Sequence, residues 1–235
     1  LMNWTLLALI PGTLTFANFF GLGVLINIVV VCSGALATEA IVTRLRGKSI
    51  NQLLDGSAIL AGWLLALCLP PLLPIWQAIV GITFGLIFGK HVYGGLGNNL
   101  FNPAMVGFAV LVVSFPLSMS EWPAISEHQT LPEVLTAKTR LDAANPAFDG
   151  VTAATPLDDY KFRAGLTNSE FFNSSREKNW QAWLTINLAF LIGGGVLLYR
   201  RIINWRAPMG FLMALCMLPV LFYDSGSSVS LGSPL

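Results

Sequence analysis

From Leu22 to Thr43 the chain runs through small and apolar residues with one ionisable side chain, Glu39. A helix rises about 1.5 Å per residue, so about 20 such residues match the roughly 30 Å hydrocarbon core of a bilayer. Comparable runs recur near 3–19, 55–70, 75–90, 103–118, 180–199 and 207–223. Lipid offers no partner to a backbone N–H or C=O, so spanning segments of this kind are helices. The expected fold is all-α: a polytopic transmembrane helical bundle. Residues 1–118 would hold helices one to five, 119–179 one long polar loop, and 180–235 helices six and seven with the start of a further segment. The abrupt apolar start, Leu1–Ile10, and the terminal Leu235 suggest a chain that is incomplete at both ends. Only 11% of the residues are charged, where a soluble domain carries roughly a quarter. A net charge of +1 gives no field that would attract nucleic acid.

The basic residues orient the bundle. Six of the 13 Lys and Arg residues lie in the long loop: Lys138, Arg140, Lys161, Arg163, Arg176 and Lys178. The other seven, Arg44, Arg46, Lys48, Lys90, Arg200, Arg201 and Arg206, all fall in connections that an alternating topology puts on one side. The positive-inside rule makes that side cytoplasmic and the long loop extracytoplasmic.

Ionisable groups at membrane depth are functional candidates, and two acids qualify. Glu39, five residues before Arg44, is expected to snorkel toward the interface. Asp55 opens a segment and suits a helix cap or first turn. Cys32, Cys68 and Cys216 stand alone in apolar runs and read as small buried hydrophobes. Together with only His91 and His128 they give no metal-ligand spacing.

Two stretches carry more specific information. "GKHVYGGLGNNLFNPAMVG", residues 89–107, concentrates glycine and asparagine where a helix ends or begins. Asn102-Pro103 reads as a helix start, with Asn102 as the cap and Pro103 at the first position. Asn98, Asn99 and Asn102 also offer amides that donate and accept, as the imide-like edge of a ring ligand requires. "DGVTAATPLDD", residues 149–159, places Thr152 and Thr155 among small residues in the polar loop. No His or Cys lies nearby to activate a hydroxyl, so no catalytic residue is assigned, and a threonine here reads as an acceptor for another enzyme's group transfer.

The spacing Asp149-Gly150-x-Thr152-x-Ala154-Thr155 resembles the sequence that a flavin transferase modifies by joining FMN through a phosphoester to the last threonine. Ala153 departs from the glycine common there. "YGGLGNNLFNPAMVGFAVLVVSFP", residues 93–116, resembles the hallmark region of the D-type membrane subunit (RnfD) of Rnf electron-transport complexes, which is related to the B-type subunit (NqrB) of sodium-pumping NADH:quinone reductases. The proline after Thr155 favours the first. The resemblance implies covalent FMN on Thr155, with Asp149, Gly150 and Thr152 as transferase recognition positions. It also implies a non-covalent riboflavin near the cytoplasmic helix ends, for which Asn98, Asn99 and Asn102 are the candidate contacts.

It further implies a flavin-bearing subunit of a ferredoxin:NAD oxidoreductase-type translocase in the bacterial inner membrane, coupled to Na+ or H+ movement. Its partners would be the other subunits, the flavin transferase and the lipid bilayer. The same resemblance implies a glycine-interrupted bundle similar to urea and ammonia channels. The alternatives are an NqrB-like part of the quinone reductase, or a channel or transporter, whose substrate sites also use glycine-interrupted helices.

Overall fold

The computed structural model describes residues 2–47, 55–95, 97–123, 125, 130–141 and 177–221. Its elements are helices: α1 Met2–Phe20, α2 Leu22–Leu45, α3 Ser57–Cys68, α4 Ile75–Leu86, α5 Pro103–Ser114, α6 Pro116–Ser120, α7 Leu131–Thr139, α8 Glu177–Tyr199 and α9 Arg206–Leu221. Among the described residues, two stretches are both long and apolar enough to cross a membrane, Leu22–Leu45 and Trp180–Tyr199; Ser57–Cys68, Pro103–Ser114 and Arg206–Met217 are shorter apolar helices. The chain is a helical membrane protein.

Some expected spans are shorter for local reasons. The prolines 70, 71 and 74 follow α3, and none can donate the N–H a continuing helix needs. The run at 103–118 breaks at Phe115 and resumes as α6 behind Pro116. Asn102 caps α5 as its sequence suggests, its Oδ1 accepting from the Ala104 N–H at 3.0 Å with Pro103 following. Within the expected long loop, α7 starts on a capping box. The Thr130 side chain accepts from the third-residue N–H, and Glu133 accepts from the Thr130 N–H.

Close helix contacts are made by glycine. Burial from water does not drive helices together inside lipid, so association relies on close packing and hydrogen bonds. Gly81, Gly85 and Gly89 recur every fourth residue toward α5. A Cβ on Gly85 would lie 2.5 Å from the Pro103 carbonyl oxygen, and one on Gly89 2.7 Å from the Pro103 Cα. α1 and α8 approach similarly: a Cβ on Gly193 would lie 1.9 Å from the Ala8 oxygen, and the Phe190 ring lies over Gly12. Ala8–Gly193, Gly12–Phe190 and Phe16–Trp183 run in opposite chain directions, so the two helices are antiparallel. Phe16 and Phe20 of α1 meet Trp122 and Trp183 in an aromatic cluster with centroid separations of 4.7 to 6.4 Å.

These contacts define two ends. At one, the basic end, Arg44 lies in the last turn of α2 and Arg46 just after it, and Arg200 lies 4.1 Å from the Trp4 ring centroid. At the other, the loop end, α7 packs through Val134 and Ala137 on Leu72 and Ile26.

Candidate functional site

Three helices bring ionisable residues together at the basic end. α2 contributes Glu39, α3 begins at Ser57, and the turn that continues α4 beyond Leu86 contributes Lys90 and His91. That turn, Ile87–His91, is wound as a π-helix, with Val92 N–H bonding the Ile87 oxygen and Gly95 N–H the Lys90 oxygen. In a regular helix successive residues diverge by about 100°; the wider turn accompanies inward placement of both Lys90 and His91, which are 5% and 6% exposed.

The Lys90 ammonium donates to Glu39 Oε1 at 2.7 Å and to Ser57 Oγ at 2.8 Å. His91 Nε2 lies 3.1 Å from Glu39 Oε2. Ser57 in turn donates from Oγ and from its backbone N–H to Asp55 Oδ1, at 2.6 and 2.8 Å. The result is a continuous hydrogen-bonded chain, Asp55–Ser57–Lys90–Glu39–His91, that starts at an exposed carboxylate and ends among buried groups. Buried charges persist only when paired and hydrogen-bonded, and these are.

A cavity of about 370 Å³ opens beside this chain. Lys90 and Ser57 form its polar wall, Leu60, Ala61 and Leu64 an apolar wall, and Asn99 to Pro103 a third side. Its volume falls within the roughly 300–1,000 Å³ typical of small-molecule sites, and apolar walls with few polar groups are their usual make-up. An ammonium carries three donors, and the described residues use two of those on Lys90, leaving one for a ligand acceptor.

At the loop end Lys138 is 1% exposed, and its Nζ donates to Asn27 Oδ1 of α2. The Asn27 amide donates from Nδ2 to the Pro70 carbonyl at 3.0 Å, which fixes which way the amide faces. Burial pushes the Lys138 amine down to about 7 from its ordinary value. Two residues on, Arg140 pairs with Glu121.

The structure sorts the residues selected by sequence. Asn99 and Asn102 border the cavity, while Asn98 is exposed and outside its lining. Both ends of the Asn99 amide serve the local turn, accepting from Gly97 N–H and donating to the Phe101 oxygen. Thr155, Asp149, Gly150 and Thr152 lie outside the described residues. Asp55 does support a helix start, through Ser57.

Two expectations are corrected. Glu39 does not snorkel: it is 2% exposed because Lys90 and His91 compensate it within the bundle. Nor are the cysteines all buried; Cys32 and Cys68 are half-buried, and Cys216 is exposed on α9, most of whose described side chains are uncovered. Sequence reasoning missed Lys90, His91, Ser57 and Lys138. The adjacent pair Lys90-His91, at the end of an apolar run, was the available signal for the first two.

Comparison with known proteins converges. The sequence pattern of the NQR2, RnfD, RnfE family matches residues 1–234. The chain is 42% identical to a Pseudomonas aeruginosa protein named as the D subunit of an ion-translocating oxidoreductase complex, over 100% of this chain and 69% of the relative. Proteins of the same name from Cellvibrio japonicus and Psychromonas ingrahamii are 39% and 41% identical, over 100% and 91% of this chain and 68% and 66% of theirs. The chain spans about two thirds of the length of these relatives.

Proposed function

The chain belongs to the NQR2, RnfD, RnfE family, and on that premise we propose that it is a flavin-bearing membrane subunit of an ion-translocating electron-transport complex. The reading is of the ferredoxin:NAD oxidoreductase type, with Na+ or H+ as the coupled ion and the other subunits of the complex as partners. The family match carries it, joined to the acceptor sequence Asp149-Gly150-x-Thr152-x-Ala154-Thr155. FMN is attached to Thr155 by a flavin transferase, and riboflavin sits without a covalent bond at the basic end. The exposed Arg44, Arg46 and Arg200 support a cytoplasmic basic end and an extracytoplasmic loop end in a bacterial inner membrane. The glycine contacts of α4 with α5 support a bundle similar to that of urea and ammonia channels.

The cavity beside Lys90 has the chemistry a flavin ring needs. When bound, the ring supplies one-electron steps, and the protein tunes it through its surroundings. Glu39 and Ser57 hold Lys90 in place, so its remaining N–H serves a ring oxygen or nitrogen without a search through rotamers. Asn102 spends its Oδ1 on the α5 cap and keeps its NH2 for the same edge. Leu60, Ala61 and Leu64 exclude water from the ring face.

Mass spectrometry of the peptide spanning residues 141–161, after co-expression with a flavin transferase, tests the covalent site. An FMN-sized addition that disappears in Thr155→Val is expected. No addition, or one that survives the substitution, overturns the assignment. Flavin content released by acid from the Thr155→Val protein tests the second site: one free flavin per chain is expected, lost in Lys90→Met, and its absence overturns the cavity reading.

A further inference from the structure

α7 ends at Thr139, 16 residues before Thr155 in sequence, and a buried amine holds it to the bundle. An ammonium carries three N–H donors and no acceptor. At its seat Lys138 bonds one acceptor among the described residues, the Asn27 Oδ1. That acceptor cannot turn away, because the Nδ2 of the same amide is committed to the Pro70 carbonyl. A charged amine, 1% exposed beside the apolar contact of Leu72, Val134, Ala137 and Ile26, would leave two donors without acceptors among the described residues, whereas a neutral amine is content with one acceptor.

We propose that Lys138 is a positioning residue whose uncharged amine, seated on Asn27, fastens α7 to the loop end of α2 and makes that fastening responsive to protons on the loop side. The fastening stands by itself; that it sets where the cofactor-bearing chain begins rests on the flavin reading of Thr155. Among the described residues, the neighbouring groups offer no rescue for a charge. α2 presents Asn27 and Ile26; its ionisable side chains are the Cys32 thiol, about one and a half turns away, and Glu39 and Arg44, about three turns or more away. The turn after α3, which ends at Cys68, contributes Pro70 and Leu72. On its own side, Glu133 is spent on the Thr130 N–H and Glu121 on Arg140.

The direction of the pH effect follows from the amine's depression. Seated, it titrates at about 7; released, at about 10.4. Release therefore takes up a proton between those values, so fastening strengthens as pH rises above about 7 and is nearly constant below it. The fastening constant should grow about fivefold from pH 7 to 8 and about 50-fold from pH 7 to 9.

Amide hydrogen exchange at residues 131–139, in the full chain in lipid nanodiscs and corrected for intrinsic rates, measures this directly. Protection is expected to rise by those factors in the wild type, and to be independent of pH in Lys138→Met. Asn27→Asp supplies a carboxylate that keeps the amine charged in its seat, so protection should be higher at pH 7 and flat to pH 9. A flat wild-type profile, or a slope that survives Lys138→Met, overturns the proposal. If Lys138→Met does not fold, the wild-type and Asn27→Asp profiles decide. The readout should be the same in Thr155→Val, so a failed flavin assignment leaves this test intact.

Discussion

Replacing Lys90 by Met keeps an unbranched side chain and removes the cation that compensates Glu39. The two groups are 2.7 Å apart, with side chains 6% and 2% exposed. At an effective dielectric of about 20, their gross attraction is about 6 kcal/mol, and desolvation of both charges offsets much of it. Removing one partner of a buried pair costs about 3–5 kcal/mol, because the other charge is left without compensation. His91, 3.1 Å from Glu39 Oε2, remains and places Lys90→Met toward the lower part of that range. Glu39→Gln together with Lys90→Met removes both charges and should cost about 1–2 kcal/mol, less than the lysine change alone. Equilibrium unfolding in mixed micelles, followed by tryptophan fluorescence, measures all three proteins beside Arg44→Met. Arg44 is exposed, and its substitution should move stability by less than about 0.5 kcal/mol. If Lys90→Met is as mild as Arg44→Met, or if the double substitution is simply additive, the buried pair does not hold α2 to α4.

Other substitutions probe the packing. Gly193→Ala places its Cβ 1.9 Å from the Ala8 oxygen and should separate α8 from α1, seen as loss of monodisperse protein. Gly194→Ala meets nothing within 4 Å and should be neutral or up to about 1 kcal/mol stabilising by helix propensity. Gly85→Ala meets the Pro103 oxygen at 2.5 Å. It should cost about 1–3 kcal/mol by overpacking and lower free-flavin content while leaving the Thr155 modification intact. Trp183→Ala removes a ring that lies 5.4 Å from Phe20 and 6.4 Å from Trp122, and should lower stability by about 3–5 kcal/mol in the same micelle assay.

What could be read in advance was local. Apolar run length located the helices because the bilayer dictates it, and Asn102-Pro103 located the start of α5 because capping acts over two residues. The glycines 81, 85 and 89, which a spacing of four puts on one helix face, mark the α4–α5 contact, but the sequence does not say which helix that face meets. The polar contacts were not legible. Glu39 and Lys90 are 51 residues apart, and Asn27 and Lys138 are 111 apart, so no window of sequence contains either pair. Lys90 illustrates the consequence. Counted as one of seven charges orienting the bundle, it is instead neutralised inside it, and the orientation rests on arginines that stay exposed, such as Arg44, Arg46 and Arg200.

The placement of these contacts along α2 explains why one long apolar helix can organise the fold. Asn27, Val31, Ala35, Thr38 and Glu39 are all buried; Asn27, Val31, Ala35 and Glu39 step by four residues along one stripe, with Thr38 three residues after Ala35 at its side. Its polar members lie toward the two ends and its middle is small and apolar. A charge costs most at the bilayer centre and less near the interfaces, so that order places the polar bonds where they are least costly. Between the ends, Gly62 of α3 packs close to the backbone of Val31 and Cys32, a contact that tolerates some sliding. Asn27 with Pro70 at one end and Glu39 with Lys90 at the other remove that freedom. Sliding α2 by one turn, about 5.4 Å, would strand a buried amide and a buried carboxylate together. The glycine surfaces thus set how closely the helices approach, and the terminal polar bonds set their register.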